Sequence, residues 1–472
     1  MKGRDMAHSS SSLGQVFSHR LRRWIPEPFV FALLLTVLVA VLARFVMESD
    51  FAQVTSDWYR GFWMLLEFTM QMVLILATGF AIALSPPAAR AIDMLARFAR
   101  TPAAVYVLIL VVGALFSLIS WGWIVLTAVL ARELSKRVEG VDYAYLIACV
   151  YISGQPWVGG LSSSIPLVLN TNGNFLIEGG VLSTTISTGE TLGSRLNGAY
   201  LLASFLTVPA LMWGLRPRAD GVQTLNDLVD VDQRETATVA EEAESLSLDG
   251  RSFSDRLNNG WWLQGLVALA GLWIVVRHFV DNGFDLNLNI MIFAFLMVGL
   301  LVHRTPMRYG IAMKRACANV YGLVFQYPFY AGIMGIMMFS GLGTAISLWL
   351  ADGATMTTLP LIAQFAGAAV NFAIPSAGGE WAVIGPALTE TALALSAGLP
   401  PEEQQAFVAR IALAVAYGET STNLLQPFFL LTVLPVMGAG VMVQARDVMG
   451  YLLLPFVMIY LTTALLIAAL PF

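Results

Sequence analysis

Two glutamates stand out because each lies beside glycine within a long apolar segment that is almost free of charge. Glu380 occurs within residues 377–381 (AGGEW), and Glu419 within residues 417–420 (YGET). A charged group at the centre of a bilayer costs at least about 2.5–3.5 kcal/mol on insertion scales, so acids there are usually functional. We predict that both handle a coupling cation, Na⁺ or H⁺. The alternative is a structural acid that accepts hydrogen bonds from the backbone N–H groups of its own turn.

Small neutral hydroxyl and amide groups cluster near the same glycines. A transported carboxylate must be released as well as captured, so neutral donors suit it better than the stronger charge-assisted ones. We predict that the substrate is bound by Ser120, Trp121, Gly122, Trp157, Gly160, Ser162, Ser163, Ser164, Pro375, Ser376, Gly378, Gly379, Trp381, Thr420, Thr422 and Asn423. We assign the coupling ion to Gly154, Gln155, Glu380, Gly418, Glu419 and Ser421.

These residue types also have ordinary structural uses. Runs of serine and threonine are common in tightly packed membrane helices. Tryptophan often marks the membrane interface. We favour an apolar wall for a short acyl tail, made of Trp121, Trp123, Trp157 and Trp381, because these tryptophans adjoin the glycine-rich interruptions and not the ends of predicted helices.

Other kinds of chemistry find little support. The four histidines lie in the N-terminal tail or at the edges of predicted helices. The chain has no HExxH, no GxSxG nucleophile motif and no phosphate-binding P-loop with its lysine. The two cysteines, Cys149 and Cys317, cannot build a disulfide framework or a four-ligand zinc site. We therefore predict that the protein is not an enzyme and has no cofactor, with Na⁺ as the candidate bound ion.

The composition is that of a membrane protein. Of the 472 residues, 57% are hydrophobic and 12% are charged, and the mean hydropathy is +0.72. A soluble domain has about 25% charged residues, and a nucleic-acid binder would show a basic surplus, so both classes are excluded. The first apolar run, 29–46, is longer than a signal-peptide core of about 7–15 residues. Arginines precede it, which predicts a membrane-spanning helix with a cytoplasmic N-terminus.

Apolar length and the positions of Lys and Arg predict an all-α polytopic protein with about nine transmembrane helices, two of them broken, and two re-entrant hairpins. The predicted segments are a cytoplasmic tail (1–26), scaffold helices (27–100), a hairpin and broken helix (103–175), a closing helix (195–215), an acidic cytoplasmic linker (217–256), further scaffold helices (260–350), a second hairpin and broken helix (357–437) and a last closing helix (449–470). We expect the linker to be a mobile tether without chemistry, because it is acidic and poor in aromatic residues.

The order of segments repeats, which predicts an inverted repeat of the kind found in many secondary transporters. Polar interruptions fall at 120–123, 154–164, 371–386 and 418–423. In hydrocarbon, irregular backbone is tolerated only inside protein or facing a water-filled cavity. We therefore expect the four interruptions to meet around one cavity.

These motifs resemble those of the bacterial short-chain fatty acid transporter family, the acetoacetate and butyrate uptake type. The resemblance covers nearly the whole chain apart from the tail and the linker. It is carried by residues 121–123 (WGW), 131–137 (ARELSKR), 157–167 (WVGGLSSSIPL), 327–332 (YPFYAG) and 375–383 (PSAGGEWAV). Val158 stands where the family often has histidine, which argues against histidine-based proton coupling. Ala377 stands where glycine is common.

The resemblance implies a member of the ion-transporter superfamily, whose better-known members are dimers that work by an elevator mechanism. The transport domain would then hold residues 103–175 and 357–437. Few cationic side chains occur near the interruptions, which favours a small monocarboxylate as the substrate. The alternatives are a passive channel or facilitator for small organic anions, a transporter of another carboxylate such as a dicarboxylate, and a membrane-embedded enzyme.

Overall fold

The fold is helical wherever the structure, a computed structural model, describes the chain. The described residues are 28–64, 66–119, 123–172, 174–217, 222–229, 238–247, 252–283, 288–318, 320–426, 429–438 and 441–471. Within them, strand-like pairing is limited to one isolated bridge between Val229 and Val441. The all-α prediction is confirmed for this part of the protein.

Within the described residues of the first half lie nine main helices. They are α1 (Pro28–Val46), α2 (Phe51–Phe62), α3 (Leu66–Ala83), α4 (Pro86–Ala96), α5 (Pro102–Ile119), α6 (Trp123–Arg137), α7 (Tyr143–Ser153), α8 (Ser164–Leu169) and α9 (Arg195–Leu215). Several of these helices begin at an N-cap residue whose side chain accepts a hydrogen bond from a backbone N–H of the first turn. Such N-caps are Asp50 for α2, Ser85 for α4, Asp142 for α7 and Ser194 for α9. These caps explain why the apolar segments start where they do.

The part of the second half that the structure describes adds ten main helices. They are α10 (Trp261–Asn282), α11 (Leu288–His303), α12 (Pro306–Cys317), α13 (Tyr321–Phe339), α14 (Leu342–Ala351), α15 (Leu359–Val370), α16 (Ala377–Leu395), α17 (Pro401–Thr422), α18 (Leu430–Met437) and α19 (Leu453–Ala469). In both halves a pair of helices (α5 and α6, α15 and α16) is followed by a helix that ends in a 3-10 turn (α7, α17), a short helix (α8, α18) and a long helix (α9, α19).

Apolar length alone identifies fewer membrane-spanning helices than the sequence predicts. Among the described residues, three helices are long and apolar enough: Pro102–Ile119, Arg195–Leu215 and Phe253–Asn282. A fourth results if the pair Thr69–Ala83 and Pro86–Leu95, bent by 64°, counts as one span. Shorter apolar helices are Ala32–Val46, Asn289–His303, Val324–Phe339, Leu359–Val370 and Leu453–Ala469. The number of about nine spans therefore stays a prediction.

The structure refines the sequence prediction in one connecting region and differs from it in another. Within the predicted scaffold segment 260–350, the last apolar stretch is divided into α13 and α14 at Gly341, whose φ of 76° suits a glycine. The acidic linker, expected to be a mobile tether, contains short helices in its described parts: Leu225–Leu228, Val239–Ser245 and Phe253–Asn258. These pack against α6 and α12.

Glycine brings α15 and α17 into close contact beneath the interruptions. A Cβ atom on Gly418 would lie 2.0 Å from the carbonyl oxygen of Gln364, and one on Gly367 would lie 2.5 Å from that of Val415. Real Cβ atoms do not approach backbone this closely, so both positions need glycine. The pair forms a rigid base that positions the site residues at the end of α17.

Candidate functional site

The turn between α15 and α16 is joined to the end of α17 by one buried amide. The Nδ2 atom of Asn371 lies 3.0 Å from the carbonyl oxygen of Glu419, 2.9 Å from Oγ1 of Thr422 and 2.8 Å from Oδ1 of Asn423, as a donor to each. Gln426 completes the contact by donating from Nε2 to the carbonyl oxygen of Asn371 at 3.3 Å. The second hairpin turn and the end of α17 therefore form one polar cluster inside the protein.

The interruption of the first half reaches the same cluster. Gln155 donates from Nε2 to the carbonyl oxygen of Thr420 at 2.9 Å, and the Tyr151 hydroxyl donates to that of Asn423 at 2.6 Å. A Cβ atom on Gly378 would lie 3.6 Å from Cβ of Ser164, which places the start of α16 beside the start of α8. Three of the four predicted interruptions thus meet in the structure.

The fourth interruption, with Ser120, Trp121 and Gly122, lies outside the described residues, as does the side chain of Trp123. The preceding residues of α5 do reach the site. The N–H of Leu161 donates to the carbonyl oxygen of Leu118 at 2.7 Å. A Cβ atom on Gly160 would lie 2.6 Å from that same oxygen, so Gly160 permits the contact.

A cleft of about 360 Å³ opens at this junction. It is lined by Ile124, Tyr151, Gly154, Gln155, Trp157, Thr420, Asn423 and Phe429. Five of these eight are predicted site residues. The other three, Ile124, Tyr151 and Phe429, add hydrocarbon and aromatic surface to the apolar side that Trp157 begins. The described part of the lining contains no Lys, Arg, Asp or Glu.

Glu380 and Glu419 are both fully buried near the cleft. Oε1 of Glu419 accepts a hydrogen bond from Nδ2 of Asn423 at 2.8 Å, whereas Oε2 has no partner among the described residues. Neither carboxyl oxygen of Glu380 has a partner in that part of the chain. The two groups are near enough to act on each other electrostatically. Uncompensated carboxylates in such a place are costly, so they need protons or a cation.

Further buried acceptors near these acids also lack donors within the described chain. They are Oε1 of Gln155, Oδ1 of Asn371, Oγ1 of Thr420 and Oε1 of Gln426, and Oγ of Ser162 has no partner either. Buried polar groups normally find hydrogen-bond partners, so a cluster of exceptions requires an explanation. A bound cation, protons on the carboxyl groups or a polar ligand would provide these oxygens with partners.

The helix α17 is continuous where the sequence analysis predicted a break at 418–423. It extends through Thr422, and the interruption begins at Asn423 with a 3-10 turn, Asn423–Leu425. Gly418 serves the close contact with α15, and Ser421 donates from its hydroxyl to the carbonyl oxygen of Tyr417 at 2.7 Å. Small residues here permit packing instead of ending the helix.

Several predicted binding residues have structural duties. The Ser163 hydroxyl donates to the carbonyl oxygen of Val158 at 2.5 Å. Ser376 caps α16 by accepting from the N–H of Gly379 at 3.4 Å. The Trp381 ring is buried over Gly385 and is absent from the described lining of the cleft. Pro375 precedes the Ser376 cap and is buried, and Gly379 lies against Met334.

Asn371 is a residue of this polar cluster that the sequence analysis missed. A polar amide inside an apolar run was visible, but its partners are 48 to 52 residues away. A second missed group holds the 3-10 turn that follows α7, Gln155–Gly159. Tyr417 donates to Oδ1 of Asn197 at 3.1 Å, and Asn197 donates to the carbonyl oxygen of Gly159 at 2.9 Å. The Tyr417 ring stacks on Tyr200 at 4.2 Å between centroids.

We expect Asn371→Ala to destabilise the protein by about 2–4 kcal/mol, because three buried acceptors lose their shared donor. Thermal unfolding of the purified protein in detergent measures the effect. Asn226→Ala is the matched control, because Asn226 is exposed on the linker and its loss should cost less than about 0.5 kcal/mol. Equal unfolding temperatures for the two variants would show that the Asn371 bonds do not hold the site together.

Comparison with known proteins places the chain in a family. A family model described as "Short chain fatty acid transporter" matches residues 10–472. A relative from Escherichia coli (strain K12), provisionally named a short-chain fatty acid transporter, is 36% identical over 430 residues, which are 91% of this chain and 92% of the relative. A relative from Haemophilus influenzae (strain ATCC 51907 / DSM 11121 / KW20 / Rd) with the same provisional name is 33% identical over 434 residues, 91% of this chain and 93% of its own.

A solved structure is similar over most of the chain. The Alcanivorax borkumensis YdaH transporter is 17% identical and covers 94% of this chain and 98% of its own, with a TM-score of 0.46. That score is too low to establish a shared fold. The family match and the two relatives confirm the resemblance found in the motifs and the prediction that the protein is not an enzyme. The chain therefore belongs to the short chain fatty acid transporter family.

Proposed function

We propose that the protein is a secondary active transporter that moves short-chain monocarboxylates, such as butyrate or acetoacetate, across the bacterial inner membrane with a Na⁺ or H⁺ gradient. The observation that carries the proposal is the cleft at the junction of the two halves. It joins neutral polar groups to an apolar wall beside two buried acids. Family membership and the names of the relatives support the same substrate class.

The lining suggests how such a substrate lies. The hydroxyl of Thr420, which has no partner in the described chain, and the second amide hydrogen of Gln155 face the carboxylate end. Ile124, Trp157 and Phe429 receive the hydrocarbon tail. A small, singly charged acid matches this lining, which combines neutral polar groups with hydrocarbon and aromatic surface.

The charge of the lining argues against a dicarboxylate. In the described part of the cleft no arginine or lysine is available to pair with a second carboxylate. Burying an unpaired ionised carboxylate is strongly unfavourable. One carboxylate can be held by neutral donors and balanced by a co-transported cation, whereas a second one would remain uncompensated.

The coupling ion is proposed to bind between Glu380 and Glu419. Support comes from the three carboxyl oxygens without partners and from the neighbouring unpartnered oxygens of Gln155, Asn371 and Thr420. Oxygen ligands of this kind suit Na⁺, and the carboxyls can instead carry protons. Binding of the cation lowers the negative charge of the site so that the substrate anion can enter. Transport of the substrate is thereby coupled to transport of the cation.

The order that α5–α9 share with α15–α19 supports an inverted repeat and an elevator mechanism. In this proposal residues 103–175 and 357–437 move together as the transport domain against a scaffold. A homodimer and a cytoplasmic N-terminus complete the proposal. The competing function is a passive facilitator for the same anions, which would need no coupling acids.

Uptake and counterflow in proteoliposomes test the function. With a panel of C2–C6 acids, we expect saturable uptake of C3–C5 monocarboxylates that collapses when the Na⁺ or H⁺ gradient is removed. Succinate serves as the dicarboxylate control and should not compete. Saturable uptake without any dependence on either gradient would identify a facilitator, and no uptake of any monocarboxylate would overturn the proposed substrate class.

A further inference from the structure

The cleft has two walls that come from different halves of the chain. Gln155 and Trp157 lie on the 3-10 turn after α7, whereas Thr420 and Asn423 lie at the end of α17. Hydrogen bonds within a 3-10 turn have poorer geometry than those of an α-helix. The position of this turn therefore depends on contacts from other elements, and those contacts set the distance between the two walls.

The far end of the turn is held by Asn197, which lies in the first turn of α9. Its Nδ2 donates to the carbonyl oxygen of Gly159 at 2.9 Å and to that of Leu192 at 2.8 Å. Its Oδ1 accepts from the hydroxyl of Tyr417 at 3.1 Å. The side chain is fully buried, and both amide hydrogens and the amide oxygen have partners. Asn197 thus connects the turn to α17.

The near end of the turn is held by Tyr200. Its hydroxyl donates to the carbonyl oxygen of Gln155 at 2.5 Å. Its ring stacks on the ring of Tyr417, with 4.2 Å between the centroids and 21° between the planes. Residues three apart on a helix lie on the same face, so Asn197 and Tyr200 of α9 both reach the turn and both contact Tyr417. We call these three residues the clamp.

The clamp is tightly packed and separate from the cleft. A Cβ atom on Gly159 would lie 2.5 Å from Oδ1 of Asn197 and 3.2 Å from Cδ1 of Tyr200, so this end of the turn needs glycine. All three clamp residues are buried, and none of them belongs to the described lining of the cleft. They can therefore act on a ligand only through the turn and α17, as positioning residues.

We propose that the clamp sets the width of the cleft, and thereby the affinity and the chain-length preference of transport. This inference rests on the proposed function, because it assumes that a short acid lies between the two walls. While the clamp holds the turn against α17, both walls contact a small acid at once. When one link is removed, the turn can move away from α17. A small acid then loses contact with one wall, whereas a longer acid still reaches both.

Tyr417→Phe tests the clamp, because it removes only the hydroxyl that binds Asn197 and keeps the ring that stacks on Tyr200. In proteoliposomes we expect the KM for butyrate to rise about fivefold, the value of one net hydrogen bond. Vmax per reconstituted protein should change less than about twofold. The ratio of hexanoate to butyrate uptake should rise at least about fourfold, the value of one further buried methylene. An unchanged KM or an unchanged ratio would overturn the proposal.

Tyr143→Phe is the matched control. Tyr143 is also buried, and its hydroxyl donates to the carbonyl oxygen of Met437 at 2.7 Å, at the end of α7 away from the turn. This variant loses the same kind of bond, so its KM should stay within about twofold of the original. An equal rise of KM in Tyr143→Phe and Tyr417→Phe would indicate general loosening and overturn the proposal.

Tyr200→Phe tests the second link independently of how well Tyr417→Phe folds. It removes the hydrogen bond to the carbonyl oxygen of Gln155 and leaves the stacked ring in place. We expect the same pattern as for Tyr417→Phe, a higher KM for butyrate and a shift toward hexanoate. Wild-type values of both in folded Tyr200→Phe would contradict the clamp.

A labelling measurement separates the clamp from the proposed substrate. In a Cys317→Ser background, in which buried Cys149 is retained, Thr420→Cys places a thiol on the α17 wall. Without any substrate, Tyr417→Phe should accelerate its reaction with a small methanethiosulfonate reagent several-fold, and Tyr143→Phe should not. Equal rates with and without Tyr417→Phe would overturn the clamp even if butyrate is transported. Acceleration in a protein that takes up no monocarboxylate would support the clamp and overturn the proposed function.

Discussion

Glu380→Gln and Glu419→Gln should each abolish gradient-driven accumulation of butyrate. Both substitutions keep the side-chain shape, and glutamine at 419 can still accept the hydrogen bond from Asn423. They remove the carboxylate, which is the group that would bind Na⁺ or accept H⁺. Coupling between two ligands is typically about 1–3 kcal/mol, or about 5–150-fold, so we expect accumulation to fall on the order of 50-fold.

The control for these variants is Glu390→Gln on the same helix. Glu390 is exposed two turns or more beyond the site, and its substitution should leave accumulation unchanged. Exchange of butyrate for butyrate needs no net ion movement, so it should fall less than gradient-driven uptake in both site variants. Full accumulation by Glu380→Gln and Glu419→Gln would show that neither acid couples transport.

Trp157→Ala should move the preference toward longer acids. Trp157 lies on the apolar side of the cleft together with Ile124 and Phe429, where the acyl tail is proposed to end. Removing the indole makes room for further methylene groups, each of which gains about 0.8 kcal/mol when buried. For two added methylenes we therefore expect the ratio of hexanoate to butyrate uptake to rise about tenfold.

Trp381→Ala is the matched control for chain length. Trp381 is fully buried, but its ring lies over Gly385 and not in the described lining of the cleft. Its loss should lower the unfolding temperature without changing the order of preferred acids. An unchanged hexanoate-to-butyrate ratio in Trp157→Ala would mean that the tail lies elsewhere. Competition by C2–C8 acids against labelled butyrate provides the ratio for both variants.

The sequence was informative wherever the chain has to change direction. Proline and glycine at 154–160 correctly predict the interruption after α7, and residues 371–376 form the predicted turn before α16. Both contain residues that end helices or fix turns. The composition also sufficed for the all-α class, since a chain this poor in charge has to satisfy its backbone internally.

Other features could not be read from the chain because they depend on tertiary contacts. Gly418, Thr420 and Ser421 look like helix breakers in sequence, yet α17 continues because α15 packs against it at Gly418. The contact between Gln155 and Thr420 joins residues 265 positions apart, which no spacing rule can indicate. The linker composition predicts a tether, whereas Val239 and Ala243 pack in an apolar cluster with α3 and α12, and Glu242 accepts a hydrogen bond from Arg315.

Substrate protection of a thiol introduced by Thr420→Cys, in the Cys317→Ser background, tests the central claim most directly. The rate of its modification by a small methanethiosulfonate reagent reports whether the junction of the two halves is occupied. Millimolar butyrate, with the coupling ion present, should slow the reaction in a saturable manner, whereas succinate should not. A reaction rate that butyrate leaves unchanged, in a variant that still transports it, would contradict the placement of the substrate in this cleft.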